Sequence, residues 1–129
     1  MEIQSAATSR AFMPEVNLKG ANLRGAHLQR AYLEGATLED ADLEDCNLEW
    51  ACLQDANLRG ASLKGANLKG AYLLGANLEG ANLEGCSLEL ANLKGATLKG
   101  ANLRGVNLDG ANLEGAILEG ANIQSSLRP

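Results

Sequence analysis

The chain has 129 residues, a formal net charge of −5, 46% hydrophobic residues and only 3% aromatics, which allows one small domain with a core built from Leu and Ala. Eleven Lys and Arg against 16 Asp and Glu, with no basic block, argue against direct nucleic-acid binding, and no apolar run approaches the ~18 residues of a membrane-spanning helix. Three cysteines, Cys46, Cys52 and Cys86, without a CxxC pair fit a reduced, cytoplasmic setting, and the N-terminus MEIQSAATSRAFMPEV lacks the basic-then-apolar pattern of a secretory signal.

In chain order, residues 1–15 read as an N-terminal cap segment, a short helical or irregular plug in which Phe12 and Met13 cover the first core residues and Pro14 stops any helix. From Val16 to Ser125 the chain is an unbroken series of 22 pentapeptides. The third residue of each unit is Leu in 21 units, Leu18 to Leu118, and Ile123 in the last. The first is Ala in 18, the exceptions being Val16, Cys46, Cys86 and Val106. The second is Asn in 12, the fourth is usually charged, and the fifth holds all 15 glycines. Residues 126–129 remain as a C-terminal tail.

A period of five fits neither the 3.6 of a helix nor the 2 of a long strand. Ala and Leu, two apart, point to one face of a three-residue extended segment, while Asn points to the other. Gly supplies the permissive backbone of a corner. Such a strand cannot bury its face alone, so the units must coil and stack as a solenoid. Stacked Asn side chains are expected to form ladders along the shaft. Charges 20 residues apart give 12 opposite-sign neighbours and one like-sign pair, and a lag of 15 gives the same count, so charge alone leaves three or four units per coil open.

The units ANLRG, ADLED and ANLEG match the motif A(N/D)LxG, and the chain resembles the pentapeptide repeat family over about 85% of its length. The resemblance implies an all-β, right-handed four-sided parallel β-helix of about 5.5 coils, with a shaft roughly 26 Å long at the ~4.8 Å rung spacing of a sheet. It also implies a non-enzymatic role. Relatives often dimerise at the C-terminal end, where IQSSLRP offers little cover for core leucines and strand edges. A homodimer through that end is therefore expected.

Catalytic, metal and cofactor sites find no support. His27 is alone in an outward position, Ser62 and Ser87 have no neighbouring base, and the glycines belong to corners rather than to a phosphate loop. Cys46 and Cys86 stand inward in place of Ala, and Cys52 outward. Two surface features remain. The first is an acidic belt of Glu34, Glu39, Asp40, Asp42, Glu44, Asp45, Glu49 and Asp55, with no basic residue between Arg30 and Arg59. Carboxylates on a rigid rod can imitate a phosphate track, as gyrase-protecting members of the family are understood to do. This chain lacks their protruding loop, and basic coils at 59–69 and 94–104 break its charge into bands.

The second feature is where the repeat is violated. On a 20-residue coil Trp50 and Leu90 replace Gly at one corner above Arg30, Tyr32 and Tyr72 replace Asn in the adjoining column, and Leu74 replaces a charge on the same side. These six residues are the expected partner-binding edge, with Arg30 placed to stack on Trp50. The expected role is a protein-interaction scaffold with an unidentified protein partner. The alternatives are a DNA-mimicking modulator of gyrase or another DNA enzyme, and a structural segment of a larger protein.

Overall fold

The computed structural model describes residues 10–124. Nineteen parallel bridges, from Phe12 with Tyr32 to Asn102 with Asn122, all join residues 20 apart. Each coil therefore holds four pentapeptides, which settles the choice that the charge pattern left open. The chain is a parallel β-helix in which every rung is a three-residue strand followed by a turn.

The pentapeptide Ala56–Gly60 shows why these residue types recur. The Ala56 N–H closes the preceding turn on the Leu53 carbonyl at 3.1 Å, Asn57 N–H donates to Ala36 at 2.9 Å, Leu58 N–H to Asn77 at 2.7 Å and Gly60 N–H to Glu79 at 3.0 Å. The Arg59 N–H is the one donor the coils do not reach, and the Asn57 side-chain oxygen accepts it at 3.1 Å. All five backbone donors of the unit are thus satisfied, as burial against neighbouring coils requires. The same local bond recurs at Asn17, Asn47, Asn77 and Asn112, and from Asp42. The Asn oxygen expected to build a ladder along the shaft is instead used two residues away, in its own turn. That explains why Asp, Ser and Thr substitute for it.

The turn has the i to i+3 bond of Ala on Leu and a positive φ at its third residue, the signature of a type II turn. Its fifth-position residue needs φ near +60 to +70°, which Gly adopts without penalty. Inside, Ala and Leu from Leu18 to Val106 are buried almost completely and form one continuous core.

The coil starts earlier than the sequence reading placed it. Ala11–Glu15 is itself a unit: Phe12 bridges Tyr32, the Met13 and Glu15 N–H groups donate to the Tyr32 and Glu34 carbonyls, and Glu15 carries the corner φ of 57°. Met13 packs on the core as expected, whereas Phe12 points outward and is 74% exposed. The reason is register, since the bridge puts Phe12 in the Asn column. The rest of the proposed cap, and the tail at 126–129, lie outside the described residues.

At the other end the described pairing runs as far as the Gly105 N–H on the Gln124 carbonyl. Among the described residues, the N–H groups of Leu108, Gly110, Leu113, Gly115, Leu118 and Gly120 have no backbone partner. Leu118 and Ile123 are exposed there.

Candidate functional site

The 20-residue register turns distant departures from the repeat into adjacent ones. One corner column runs Arg10, Arg30, Trp50, Gly70, Leu90, Gly110. Beside it, on the flat side, run Phe12, Tyr32, Cys52, Tyr72 and Asn92, each bridged to the next. Past these lie Pro14, Glu34, Gln54, Leu74 and Lys94 at the next corner. Tyr72, Leu74 and Leu90 are exposed, as is Arg30, while Tyr32 and Trp50 are half-buried. Among the described residues, and apart from Ile117, Leu118 and Ile123 in the last coil, the exposed large hydrophobic residues, Phe12, Tyr72, Leu74 and Leu90, all stand on this edge.

Several details differ from the sequence reading. The Trp50 ring lies over Gly70, where an added Cβ would meet its carbons at 2.3 to 2.5 Å. It leans toward the following coil, away from Arg30, so the expected Arg30–Trp50 stack is not the ring contact of this edge. That contact is Phe12 on Tyr32, parallel within 14° at a centroid spacing of 5.0 Å. Leu90 leans over Gly110 in the same way. Between Arg10, Gln29, Arg30, Glu49 and Trp50 there is an open cleft of about 330 Å³. The sequence reading gave Phe12 to the cap and left Arg10 unassigned, because AFMPE has neither Leu nor Gly. Counting back by five from Val16 would have found its Ala and its apolar centre.

The edge is built against local preference. Among the described residues eight besides glycine carry positive φ: Glu15, Asp40, Asp45 and Asp55 at other corners, and Arg10, Arg30, Trp50 and Leu90 here. Asp tolerates this region, whereas bulkier side chains cost roughly 1–2 kcal/mol. In the flat column Tyr32, Cys52 and Tyr72 replace the Asn whose oxygen would accept the turn N–H. The Tyr32 hydroxyl instead donates to Glu34 at 3.2 Å. That bond, with the Glu34 charge, holds the phenol above its ordinary pKa.

The acidic belt is less open than it looked. Glu39 pairs with Lys19 at 3.9 Å, and Arg24 takes both Asp42 and Glu44, at 3.8 and 3.2 Å. Glu44 also accepts the Ser62 hydroxyl at 3.0 Å. Asp40, Asp45 and Asp55 sit at corners with their carboxylates over Gly60, Gly65 and Gly75. Glu34 and Glu49 flank the apolar edge. Arg59–Glu79, Lys69–Glu89 and Lys94–Glu114 continue the alternation 20 residues apart.

Of the three thiols, Cys46 and Cys86 are buried and Cys52 half-buried. Burial pushes Cys46 up to about 12 and Cys86 higher still. Cys52 is raised as well, first by burial and then by Glu34. His27 is exposed in the Asn column. Among the described residues no group of three or more His, Cys, Asp or Glu is placed to hold a metal ion.

The sequence model of pentapeptide repeats matches residues 15–49, 51–89 and 86–124, in eight copies. Among solved structures, HetL of the cyanobacterium Nostoc sp. strain PCC 7120, involved in heterocyst differentiation regulation, is 37% identical over 94% of this chain and 61% of its own, with a TM-score of 0.65. The pentapeptide repeat protein alr5209 of the same organism is 48% identical over 58% of this chain and 62% of its own, with a TM-score of 0.58. QnrB1, a plasmid-mediated fluoroquinolone resistance protein, shares the fold at 19% identity and a TM-score of 0.55, over 93% of this chain and 68% of its own. A search of the curated proteins gives no match. The chain spans about three-fifths of the length of HetL and of alr5209.

Proposed function

This chain belongs to the pentapeptide repeat family, and from that premise we propose that it is a non-enzymatic, cytoplasmic scaffold that binds a protein partner along the Trp50–Tyr72 edge. In this reading the shaft is a right-handed, four-sided helix of about 5.5 coils whose regularity serves to hold that edge rigid.

One observation carries the proposal. Of the five residues other than Asp and Gly in the disfavoured corner conformation among the described residues, Arg10, Arg30, Trp50 and Leu90 share a single corner, and Glu15 stands at the other margin of the same strip. The residues beside them, Tyr32, Cys52 and Tyr72, replace a turn-capping Asn. Local rules broken together in one place, at a cost to stability, are what a binding surface produces. An apolar, aromatic strip on an otherwise polar shaft is the composition of an interface centre. The test is affinity capture from cells with the wild-type chain and with Trp50→Gly/Tyr72→Asn/Leu90→Gly. The variant is expected to fold and to lose captured protein. Equal capture by both chains overturns the reading.

A DNA-mimic role would need the acidic belt, several of whose carboxylates are already ion-paired within the chain. Inhibition of gyrase supercoiling at micromolar concentration would support it. The exposed Ile117, Leu118 and Ile123 support a further reading, contact with another chain at the C-terminal end, including a second copy.

A further inference from the structure

We propose that the occupant of this edge is a second copy of the chain, lying side by side with its shaft parallel to the first, about a two-fold axis that runs along the aromatic column. The proposal rests on the reading of the edge as a protein-binding surface and adds the partner.

The argument is charge complementarity across the strip. In such a pair each coil faces the same coil of its partner, and the two margins of the strip exchange places, as an isologous interface demands. One margin carries Arg10 and Arg30. The other carries Glu15 and Glu34, at the same two coil levels. Arg10 therefore meets the partner's Glu15, and Arg30 the partner's Glu34, each pair occurring twice by symmetry. Among the described residues none of these four charges has an ion-pair partner. The open cleft lined by Arg10, Gln29, Arg30, Glu49 and Trp50 presents two guanidinium groups and one carboxylate to the arriving Glu15 and Glu34 of the second copy.

On the next coil Glu49 and Asp55 are like-signed, but the Asp55 carboxylate leans over Gly75 to the level of Lys69. Three coils beyond Arg30 the signs reverse, Glu89 meeting Lys94, charges that within one chain pair with Lys69 and Glu114. A second like-signed pair, Asp109 and Glu114, lies beyond Leu90, past the end of the apolar strip. Between the margins Phe12, Tyr32, Cys52 and Tyr72 face their own counterparts over roughly 15–19 Å of shaft at the sheet's rung spacing, and the Phe12–Tyr32 stack is already formed in the single chain. With the shafts antiparallel, each margin would meet itself, and Arg10 and Arg30 would face Leu90 and Gly70 without a counter-charge.

Two variants test this. Arg10→Glu/Arg30→Glu makes both margins acidic, and Glu15→Lys/Glu34→Lys makes both basic. Sedimentation velocity under reducing conditions should show the wild type as a dimer. Each variant alone should dissociate with a constant raised at least tenfold, and the equimolar mixture should form a heterodimer. Only contact between two chains can rescue association on mixing, so a structural role for these charges would not produce that result. A short bis-maleimide should also link Cys52 to Cys52 in the wild type. A wild-type monomer at the highest attainable concentration overturns the second-copy assignment and leaves the edge itself to be judged by the capture experiment. A dimer indifferent to both variants also overturns it and places association at the C-terminal end.

Discussion

At the scale of single residues the protein separates positions that hold the shaft from positions that burden it. Leu73 is fully buried, and truncating it to Ala should cost ~2–5 kcal/mol through lost burial and the cavity left behind. Its neighbours on the edge should behave in the opposite sense. Leu90→Gly relieves a φ of 62° on a side chain that is 52% exposed, and is expected to stabilise by about 1 kcal/mol. Tyr72→Asn restores the missing turn acceptor and should add about 0.5–1.5 kcal/mol. Urea unfolding of the three variants checks both signs, and a destabilised Leu90→Gly/Tyr72→Asn double variant would contradict the account.

The buried thiols give a pH signature at the same scale. Cys46 and Cys86 have folded-state pKa values raised above the ordinary 9.0. Their contribution is therefore full below pH 9 and is lost as pH rises toward the folded values, because only the unfolded chain releases those protons. Stability should fall by about 1.4 kcal/mol per pH unit for each thiol in that window. Cys46→Ala/Cys86→Ala, which restores the usual inward residue, should flatten that alkaline limb in urea unfolding measured at pH 8 and at ~10.5.

At the scale of the pentapeptide the sequence was legible because each of its five positions has one physical task. Inward Ala and Leu, outward Asn and corner Gly could all be read from spacing and residue type. What spacing concealed was how the units relate to one another. Columns of alternating charge look alike at lags of 15 and 20, since exposed pairs worth ~0.2–1 kcal/mol leave only a loose pattern. The backbone decides, through bridges 20 residues apart. The Asn side chain was placed on the correct face but given the wrong partner, because its bond is to its own turn and not to the next coil. Ala11–Glu15 was missed because Met13 and Glu15 stand where Leu and Gly are usual, although the backbone accepts both. The direction in which a corner side chain leans was also invisible in the sequence. That direction takes Trp50 over Gly70 and away from Arg30.

At the scale of the whole molecule the shaft has two unlike features, one side that breaks the repeat and a last described coil with exposed core positions. That coil exposes core residues such as Leu118. The side exposes aromatic rings between Arg10 and Arg30 on one margin and Glu15 and Glu34 on the other, and most of its residues were recognisable in the sequence only after folding it on a 20-residue coil. The central claim is that this side is where the protein meets a partner. Photo-cross-linking in living cells tests it most directly, with a photoreactive residue placed at Tyr72 in one chain and at Asn82 in another. Both positions belong to the outward bridge column type, but two units apart they lie on opposite sides of the shaft. The account predicts a discrete protein adduct from position 72, of dimer mass if the partner is a second copy, and none from position 82. Equal adducts from both positions, or none from position 72, would contradict it.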